Sequence, residues 1–434
     1  MKIVAGKWTN WSGSVACKPR NVIAPKDEVD LAAAIRSGEG TVRVPGAGHS
    51  CTPLCASDDI LIDMAAFRGL ICTDKANATA TFGSATALWE TGPALYAHNM
   101  ALINMGDVDR QSLAGAISTG THGTGMRFPC LSSEIVGFRM ILADGSVLAC
   151  SRTENSDVFE AGRLGLGLLG VMTEITTNVR SAYRLVENSF LLSPKELFRK
   201  LDYLIAANRH FEFFWFPYSD VMVCKTLNET SEPATGPCTT EQMRKRGERT
   251  TIDLRIFSML NRVLPFAPFL LKPTHRLFSQ SMLPRPIPRW SHEAFPSARP
   301  VRFNEMEYVL PIASGADCLN EIVAVIRKQE ISTGFPLQFR SVAADDVWLS
   351  PFHGRDSATI AVHQFYGTDY RPLFQACEGV FRAYGGRPHW GKHHTCTSAE
   401  LSVLYPQYDR FLALRRGVDP TGKFLNRYLR GLFE

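Results

Sequence analysis

The segment VRVPGAGHSCTP, residues 42–53, places a single histidine within a run of small residues. An apolar, strand-like stretch ends at Pro45, and His49 follows two glycines and an alanine. Glycine lets the backbone turn tightly and approach a ligand closely. The segment therefore predicts a strand followed by a tight turn whose tip carries a reactive imidazole. The alternative is a tight turn in a packed sheet that binds no ligand.

A second segment of small residues, AGAISTGTHGTG, spans residues 114–125. Consecutive backbone N–H groups that no bulky side chain covers can bind an anion, and hydroxyl side chains add further donors. Two such loops in one half of the chain fit a pyrophosphate better than a single phosphate. Taken alone, each loop is better explained as a tight turn in a packed sheet.

A literal G-x-G-x-x-G, GLGLLG, occupies residues 165–170. This motif indicates dinucleotide binding only where it follows a strand and opens a helix. Here the helix-like residues 157–165 precede it and the strand-like residues 171–177 follow it. The order predicts close helix–sheet packing at these glycines rather than a nicotinamide site.

The composition is that of a soluble globular protein with two domains. The chain has 434 residues, 45% of them apolar and 21% charged, with a net charge of +5. That charge is too small and too dispersed to indicate a nucleic-acid partner. An odd number of cysteines, eleven, fits a reducing, cytoplasmic compartment better than a disulfide framework. Cys51 and Cys55 have no second cysteine pair at a metal spacing, so no zinc site is predicted.

Neither a signal peptide nor a transmembrane segment is predicted, because the chain has no run of about 18 uncharged apolar residues. Residues 257–271, FSMLNRVLPFAPFLL, come closest, but Arg262 and two prolines interrupt them. We expect this segment to be a buried, loop-rich packing element. Peripheral contact with a membrane or with a partner is the alternative.

The first 180 residues alternate short strands and helices. Helices are predicted over residues 27–38 and 87–100, and strands over residues 41–45, 59–64, 78–86 and 170–179. Residues 136–151 predict a hairpin whose two-residue turn is Asp144-Gly145.

The middle of the chain, residues 181–385, is richer in aromatic residues and prolines and predicts a second α+β domain. Within it, the polar residues 226–252 predict a mobile loop or an exposed helix. Residues 405–433 predict one helix, a turn at Asp419-Pro420 and a short apolar tail.

Four segments in a fixed order carry a family resemblance. They are PGAGHS at 45–50, NMGDVDRQSLAGAISTGTHGTG at 104–125, RPHWGKHH at 387–394 and DPTGKFLNRYLRGLF at 419–433. Together they resemble the sugar-lactone and alditol oxidases of the vanillyl-alcohol-oxidase flavoprotein superfamily, whose members include gulonolactone, galactonolactone and arabinonolactone oxidases or dehydrogenases. The resemblance extends over nearly the whole chain and is densest before residue 180 and after residue 335.

The resemblance implies an α+β fold in which a two-part FAD-binding domain carries an inserted cap. Residues 1–180 would form the main FAD-binding part, residues 181–385 the α+β cap that builds the substrate pocket, and residues 386–434 would return to the FAD-binding domain. Family members commonly attach FAD covalently through the histidine of the G-x-G-H-S turn, here His49. The alternative is that His49 caps the turn and FAD is held noncovalently.

The resemblance also assigns cofactor contacts to the small-residue loops and to residues beside them. Besides His49 they are Pro45, Gly46, Ala47, Gly48, Ser50, Gly106, Asp107, Ser112, Gly115, Ser118, Thr119, Gly120, Thr121, His122, Gly123, Val171 and Lys392.

Four residues are candidates for the chemistry. Lys392, in HWGK, matches the family lysine near the flavin, where a cation would stabilise negative charge. Arg340 matches the arginine of a substrate-facing Glu-x-Arg pair, but Gln338 stands where glutamate is usual and cannot accept a proton. His363 lies on a strand whose family counterpart faces the substrate, and either it or a water near Arg340 would take the hydroxyl proton.

Alternatives stay open for several of these residues. Arg340 could form a structural pair with Asp345 or Asp346, and His363 could be a core residue. Asp107 could contact substrate or cap a turn. His389 and Trp390 are expected to shape the pocket or pack. No metal is predicted from His389, His393 and His394, because Lys392 would repel the ion.

The function implied is hydride transfer from a CH–OH group of an aldono-1,4-lactone, of L-gulono-, L-galactono- or D-arabinono- type, to flavin N5. In the family, glycine at the position of Gly106 leaves room beside the flavin, so the resemblance favours O2 as acceptor, with release of hydrogen peroxide. The alternatives are an alditol (polyol) oxidase, a lactone dehydrogenase that uses another acceptor, and a flavin-free binding protein.

Overall fold

The computed structural model describes residues 3–234, 236–248, 252–283, 286–297 and 301–434. The strands are β1 (Ile3–Val4), β2 (Lys7–Thr9), β3 (Ala16–Cys17), β4 (Asn21–Ile23), β5 (Val42–Arg43), β6 (Ile60–Ile62), β7 (Leu70–Asp74), β8 (Thr79–Gly83), β9 (Met100–Leu102), β10 (Ile135–Ile141), β11 (Val147–Ser151), β12 (Val171–Ser181), β13 (Arg184–Leu192), β14 (His210–Trp215), β15 (Met222–Glu229), β16 (Pro288–Trp290), β17 (Phe303–Pro311), β18 (Leu337–Val342), β19 (Ser357–Phe365) and β20 (Arg387–Pro388). The helices are α1 (Glu28–Ser37), α2 (Leu88–Tyr96), α3 (Leu113–Ser118), α4 (Ser156–Gly162), α5 (Pro194–Ala207), α6 (Thr240–Glu248), α7 (Ile252–Val263), α8 (Leu271–Ser281), α9 (Ser291–Ala294), α10 (Gly315–Lys328), α11 (Arg371–Ala383), α12 (Ser398–Leu404), α13 (Tyr408–Val418) and α14 (Arg427–Phe433).

A small parallel sheet supports the first small-residue loop. Strands β4, β6 and β5 run parallel in that order. Helix α1 begins after Asp27, whose carboxylate accepts a hydrogen bond from the N–H of Asp30. Its Leu31 and Ile35 are fully buried and share a core with Val42 of β5. The turn that follows β5 therefore starts from a packed element.

A mainly antiparallel sheet carries the second loop. Its strands lie in the order β11-β10-β12-β8-β7, and β9 pairs with the end of β12. Along β12, every second side chain through Val179 is buried, which matches the two-residue period of a strand with one face on the core. Helix α3 lies over this sheet and contacts β12.

An eight-stranded antiparallel sheet occupies the middle of the chain. Its order is β16-β13-β15-β14-β18-β19-β17-β20. The central strands β14, β18 and β19 are buried along their whole length. Phe213 of β14 stacks on Phe339 of β18 with a centroid separation of 4.7 Å. Helices α10 and α11 pack against each other and against β19.

The predicted helices and strands of the first 180 residues are confirmed by α1, α2, β5, β6, β8 and β12. The predicted two-residue turn is wrong. The N–H of Leu142 donates to the carbonyl of Ser146 at 2.9 Å, which leaves three residues in the hairpin loop. Gly145, the third of them, has φ of +83°. A three-residue loop that ends in a left-handed residue is the next common hairpin connection after the two-residue turns.

The end of the chain is also more helical than predicted. Helix α13 and the turn at Asp419 were expected, but the apolar tail forms a further helix, α14. Asn426 caps it by accepting a hydrogen bond from the N–H of Leu429 at 2.9 Å. Earlier in the chain, α6 supplies the exposed helix expected within residues 226–252, whereas residues 235 and 249–251 lie outside the described residues.

The prediction that residues 257–271 are a buried packing element is wrong for much of the segment. Leu264 and Leu271 are buried, but Phe266 and Phe269 are 88% and 79% exposed. The segment forms the end of α7 and the connection to α8, so one side packs inward while the other faces out. No helix among the described residues is long and apolar enough to cross a bilayer.

Candidate active site

The two predicted loops line one cavity of about 310 Å³. The predicted cofactor contacts in its wall are Pro45, Gly46, Ala47, Gly48, His49, Ser50, Ser112, Gly115, Ser118, Thr119 and Val171. The structure therefore brings together segments that lie far apart in the sequence.

Small residues are required where these loops meet. A Cβ added at Gly46 would collide with the Ser112 hydroxyl, and a Cβ at Gly115 would lie 2.9 Å from the same oxygen. Gly48 has φ of +72°, a conformation that residues with a Cβ rarely adopt. Ser112 accepts a hydrogen bond from the N–H of Gly115 at 3.2 Å and so starts α3. A larger side chain at Gly46 would therefore force the two loops apart.

Arg43, at the end of β5, ties three other segments to this region. Its Nε donates to the carbonyl of Leu54 at 2.8 Å, and its Nη2 donates to the carbonyl of Leu166 at 2.6 Å. Its Nη1 donates to the carbonyls of Gly167 and Phe424 at 2.9 and 2.6 Å. The C-terminal segment and the GLGLLG loop are thereby held against the first small-residue loop.

The GLGLLG loop follows α4 and precedes β12, so the predicted order of elements is confirmed. A Cβ at Gly170 would lie 2.6 Å from the carbonyl oxygen of Ile141 in β10, so the close packing here is between the loop and the sheet and not between a helix and the sheet as predicted. The loop also contributes to a cavity wall, which the sequence did not indicate. Gly165, Gly167 and Gly170 also line the larger cavity.

A second, smaller cavity of about 80 Å³ adjoins the first. Predicted site residues in its wall are His49, Ser50, Gly106, Asp107, Thr119, Thr121, His122, Gln338, Arg340, His363 and Lys392. His49 and Ser50 line both cavities, so the predicted reactive histidine stands at their junction. Among the predicted cofactor contacts, all of which the structure describes, Gly120 and Gly123 line neither cavity. A Cβ on Gly123 would collide with the carbonyl oxygen of Met105, so this glycine serves loop packing behind the cavity.

The register of the eight-stranded sheet explains the polar wall of the smaller cavity. Glu305 of β17 lies opposite His363 of β19, and Arg340 of β18 lies opposite Glu212 of β14. Gln338 lies opposite Ala361, two residues before His363. Because cross-strand partners and alternate residues share a face, all of these side chains emerge on one side of the sheet.

Arg340 is held between two carboxylates. Its Nη2 lies 2.7 Å from Asp107 Oδ2, and its Nε lies 3.0 Å from Glu212 Oε2. Burial would lower the pKa of Arg340, but Asp107 and Glu212 outweigh it and raise the pKa above its ordinary value. Gln338 Nε2 donates to the same Glu212 oxygen at 2.8 Å. A carboxylate from β14 therefore lies beside the position where the family has glutamate.

The structural pair predicted as an alternative for Arg340 does not form. Asp345 Oδ2 accepts a hydrogen bond from Ser350 at 2.5 Å, and Asp346 Oδ1 lies 2.7 Å from Arg163. Asp107, for which two roles stayed open, binds the guanidinium at the cavity wall.

Lys392 and His363 share one carboxylate, Glu305. Lys392 Nζ forms a short ion pair with Glu305 Oε2, and His363 Nε2 lies 3.5 Å from Glu305 Oε1. Burial would raise the pKa of Glu305, but the neighbouring Lys392 and its contact with His363 outweigh burial and lower the pKa to about 2. His363 is 8% exposed and its Nδ1 lies 3.2 Å from the carbonyl oxygen of Pro336. His363 thus lines the smaller cavity and also packs against Phe303, with a ring centroid distance of 4.9 Å.

A second buried acid–base group lies next to this one. His122 Nδ1 lies 2.8 Å from the carbonyl oxygen of Gly123, and its Nε2 lies 2.7 Å from Glu307 Oε1. Burial would raise the pKa of Glu307, but His122 outweighs it and lowers the pKa, so the carboxylate is ionised. Both ring nitrogens of His122 therefore face hydrogen-bond acceptors.

His122, Glu307 and His389 each bring one potential metal ligand to within 4.8 Å of the others. The hydrogen bonds oppose that use. His389 Nδ1 accepts from the N–H of Gly391 at 3.1 Å, so a neutral ring carries its proton on Nε2. A metal on Nε2 of His389 would require this proton to leave or to move to Nδ1, which would break the hydrogen bond from Gly391. The other histidines of the HWGKHH segment point elsewhere: His393 stacks on Tyr370 and His394 contacts Tyr428.

His49 has a neutral imidazole at its cavity junction. Burial, together with the positive charges of Lys392 and Arg110, lowers its pKa to about 4. The Trp11 ring lies 5.4 Å from the imidazole and limits its movement. A neutral imidazole keeps one nitrogen lone pair free to act as a nucleophile.

Sequence reasoning missed the carboxylates Glu212, Glu305 and Glu307. A signal for two of them was present. Residues 303–309 read FNEMEYV, in which two glutamates alternate with apolar residues. Two charges at i and i+2 of a strand share a face, so this pattern indicates a strand with a functional polar face.

Comparisons with known proteins agree with this architecture. Residues 19–151 match the family described as "FAD binding domain". The fold resembles cholesterol oxidase from Brevibacterium sterolicum with a TM-score of 0.80, covering 99% of this chain and 97% of that one at 17% identity. That likeness shows the fold alone. The protein thus contains an FAD-binding domain and has an α+β fold of the vanillyl-alcohol-oxidase type.

Residues 175–432 match the family described as "D-arabinono-1,4-lactone oxidase". The chain is 36% identical to L-gulono-1,4-lactone dehydrogenase from Mycobacterium tuberculosis, with 98% of each chain covered. It is 30% identical to L-gulonolactone oxidase from Mus musculus and 29% identical to alditol oxidase from a Streptomyces species, with at least 98% of each chain covered. The chain belongs to the D-arabinono-1,4-lactone oxidase family of sugar-lactone oxidoreductases.

Proposed function

We propose that this protein oxidises a CH–OH group of an aldono-1,4-lactone, of L-gulono-, L-galactono- or D-arabinono- type, and passes the electrons to O2. The observation that carries the proposal is the position of His49. It joins a cavity lined by small-residue loops to a cavity lined by buried ionic groups. Bound FAD would supply the hydride acceptor, flavin N5.

The small-residue loops fit FAD because they keep backbone groups accessible along the larger cavity, as a pyrophosphate requires. We assign residues 1–180 and 386–434 to FAD binding and residues 181–385 to the cap. The cap assignment rests on strands β17, β18 and β19, which supply Glu305, Arg340 and His363 to the smaller cavity.

We propose that His49 attaches the cofactor covalently. Its low pKa keeps the ring neutral at physiological pH, and the covalent bond needs such a nitrogen lone pair. A covalent link would hold the cofactor without depending on affinity.

His363 acts as the proton acceptor in this proposal. Its Nδ1 faces the Pro336 carbonyl, so the neutral ring carries its proton there and leaves the Nε2 lone pair available. The Glu305 carboxylate, 3.5 Å from Nε2, stabilises the imidazolium that forms. The substrate hydroxyl proton moves to Nε2 while the carbon-bound hydrogen leaves as hydride.

Three further residues, Arg340, Gln338 and Lys392, position the substrate and stabilise charge at the reacting centre. The Arg340 guanidinium, fixed by Asp107 and Glu212, faces the cavity and stabilises the substrate oxygen as it loses its proton. Gln338 binds a further hydroxyl through its amide oxygen, since its Nε2 is engaged with Glu212. Lys392 supplies a cation next to the reacting centre, and Glu305 holds it in place.

A dehydrogenase that uses another acceptor is the second candidate. It is favoured by the higher identity to the M. tuberculosis protein named a dehydrogenase, 36% against 30% for the mouse oxidase. Gly106, in the wall of the smaller cavity, favours access for O2.

The test is a panel of aldono-1,4-lactones and alditols offered to the purified flavoprotein, with hydrogen peroxide and dye reduction followed in parallel. Lactone-dependent peroxide is the expected result. Dye reduction without peroxide would support the dehydrogenase. Turnover of alditols with no turnover of lactones would contradict the proposed substrate class.

A further inference from the structure

Helices α7 and α8 form a hairpin with an exposed apolar surface. Two short helical turns, Leu264–Phe266 and Pro268–Leu270, connect the helices. The large apolar side chains exposed on the hairpin are Ile256 (44%), Met259 (60%), Val263 (43%), Phe266 (88%), Phe269 (79%) and Leu277 (60%). The two phenylalanines at the connection, which we call the tip, are the most exposed of these. Exposed apolar surface of this extent marks an interaction site.

The other side of the hairpin is anchored in the protein. Phe257 contacts Phe278 across the two helices at a centroid distance of 4.8 Å, and Phe335 of the cap at 4.9 Å. Leu264 and Leu271 are buried. The exposed residues Ile256, Met259 and Val263 follow helical spacing on α7, so they share a stripe. The hairpin is therefore packed at its root and amphipathic toward solvent.

The hairpin and the residues that follow it carry mainly positive charge. Residues 252–292 contain one acidic residue, Asp253 at the start of α7, and six basic residues, Arg255, Arg262, Lys272, Arg276, Arg285 and Arg289. Arg285 lies outside the described residues, while Arg255, Arg262, Lys272 and Arg276 are exposed. A carboxylate from outside the segment, Asp220, approaches Lys272 at 3.8 Å. Exposed aromatic residues within a basic surface are typical of elements that lie in the interface of an anionic bilayer.

We propose that this hairpin binds the surface of a membrane that contains anionic lipid, with Phe266 and Phe269 inserted at the headgroup level. The basic residues around the tip attract lipid phosphates, and the apolar stripe provides the buried area. A second copy of the chain is a poorer occupant, because a symmetric contact would place the same positive charges against each other.

The test measures sedimentation of the FAD-loaded protein with phosphatidylcholine vesicles, with and without phosphatidylglycerol. The Phe266→Ser/Phe269→Ser double variant is compared with a Tyr203→Ser/Val403→Ser control, which removes exposed apolar side chains elsewhere (71% and 84% exposed). We expect binding only to the anionic vesicles. It should weaken about tenfold or more in the tip variant, stay unchanged in the control, and weaken about fivefold in Arg262→Gln. Dye-linked lactone oxidation in solution should be equal in all variants.

Absence of vesicle binding by the unmodified protein overturns the proposal, as does equal binding by the tip variant or equal loss in the control. Light scattering is run alongside. A dimer that becomes a monomer in the tip variant would assign the surface to a second copy and also overturn the proposal. Because binding is read without substrate, these outcomes are independent of the proposed activity.

Discussion

Asp107 and Arg340 meet through a 2.7 Å contact between carboxylate and guanidinium at the wall of the smaller cavity. Asp107 follows the loop glycine Gly106, and Arg340 comes from the centre of the eight-stranded sheet. This pair connects the part of the chain assigned to FAD with the part assigned to the substrate.

Replacing Asp107 by Asn is expected to lower kcat/KM about tenfold to a hundredfold, because the guanidinium loses one of two charged partners that aim it. Steady-state kinetics with a lactone check this. Asp346→Asn is the matched control, since that carboxylate binds Arg163 instead. Unchanged kinetics in Asp107→Asn, or an equal loss in the control, would show that Arg340 needs no such support.

The Gly106→Ala variant is expected to react with O2 about tenfold more slowly while reduction by substrate changes less than about twofold. The added Cβ would lie 3.1 Å from the carbonyl oxygen of His122, which is close enough to narrow this wall without blocking the fold. Stopped-flow measurement of both half-reactions separates the effects. Gly379→Ala, where a Cβ meets nothing within 4 Å, is the control. Equal slowing of both half-reactions would remove the role assigned to Gly106.

Stability is expected to fall as the pH drops from about 6.5 toward 4. Burial lowers the pKa of His210, His275, His389 and His394 to about 4. In the unfolded chain these rings titrate near pH 6.5. Between about pH 6.5 and about pH 4 the unfolded state therefore binds more protons than the folded state, and this stabilises the unfolded state. The urea midpoint should therefore be lower at about pH 5 than at about pH 7.

A variant separates the histidines from the carboxylates in this pH effect. His275→Gln is expected to reduce the pH dependence of the unfolding free energy by up to about one proton, whereas the exposed His98→Gln should leave it unchanged. A midpoint that rises as the pH falls through this window would mean that the buried histidines do not govern acid stability.

Local chemistry made much of the site predictable. The glycines Gly46, Gly48 and Gly115 indicate tight turns and close approach of the backbone from the local sequence alone. The family motifs identified His49 and Lys392. The order of elements around the GLGLLG loop, a helix before it and a strand after it, was predicted from the sequence and is confirmed. These inferences needed only neighbours in the sequence.

Features that depend on strand register were not predictable in the same way. Glu212 contacts Arg340 because β14 pairs with β18. Glu305 of β17 contacts Lys392, which lies in the C-terminal segment after β20. The sequence does not state such pairings. The apolar residues at 257–271 were misjudged for a related reason, because apolar composition alone does not distinguish a core from a surface that binds something else.

The central claim is that a flavin cofactor occupies the larger cavity and is attached to His49, where that cavity meets the smaller one. Acid precipitation of the purified protein, followed by peptide mass analysis, tests it most directly. We expect wild type and the exposed-site control His98→Ala to keep a yellow pellet with flavin on the peptide that contains His49, and His49→Ala to lose it. A colourless wild-type pellet, or a His49→Ala pellet that stays yellow, would contradict the account.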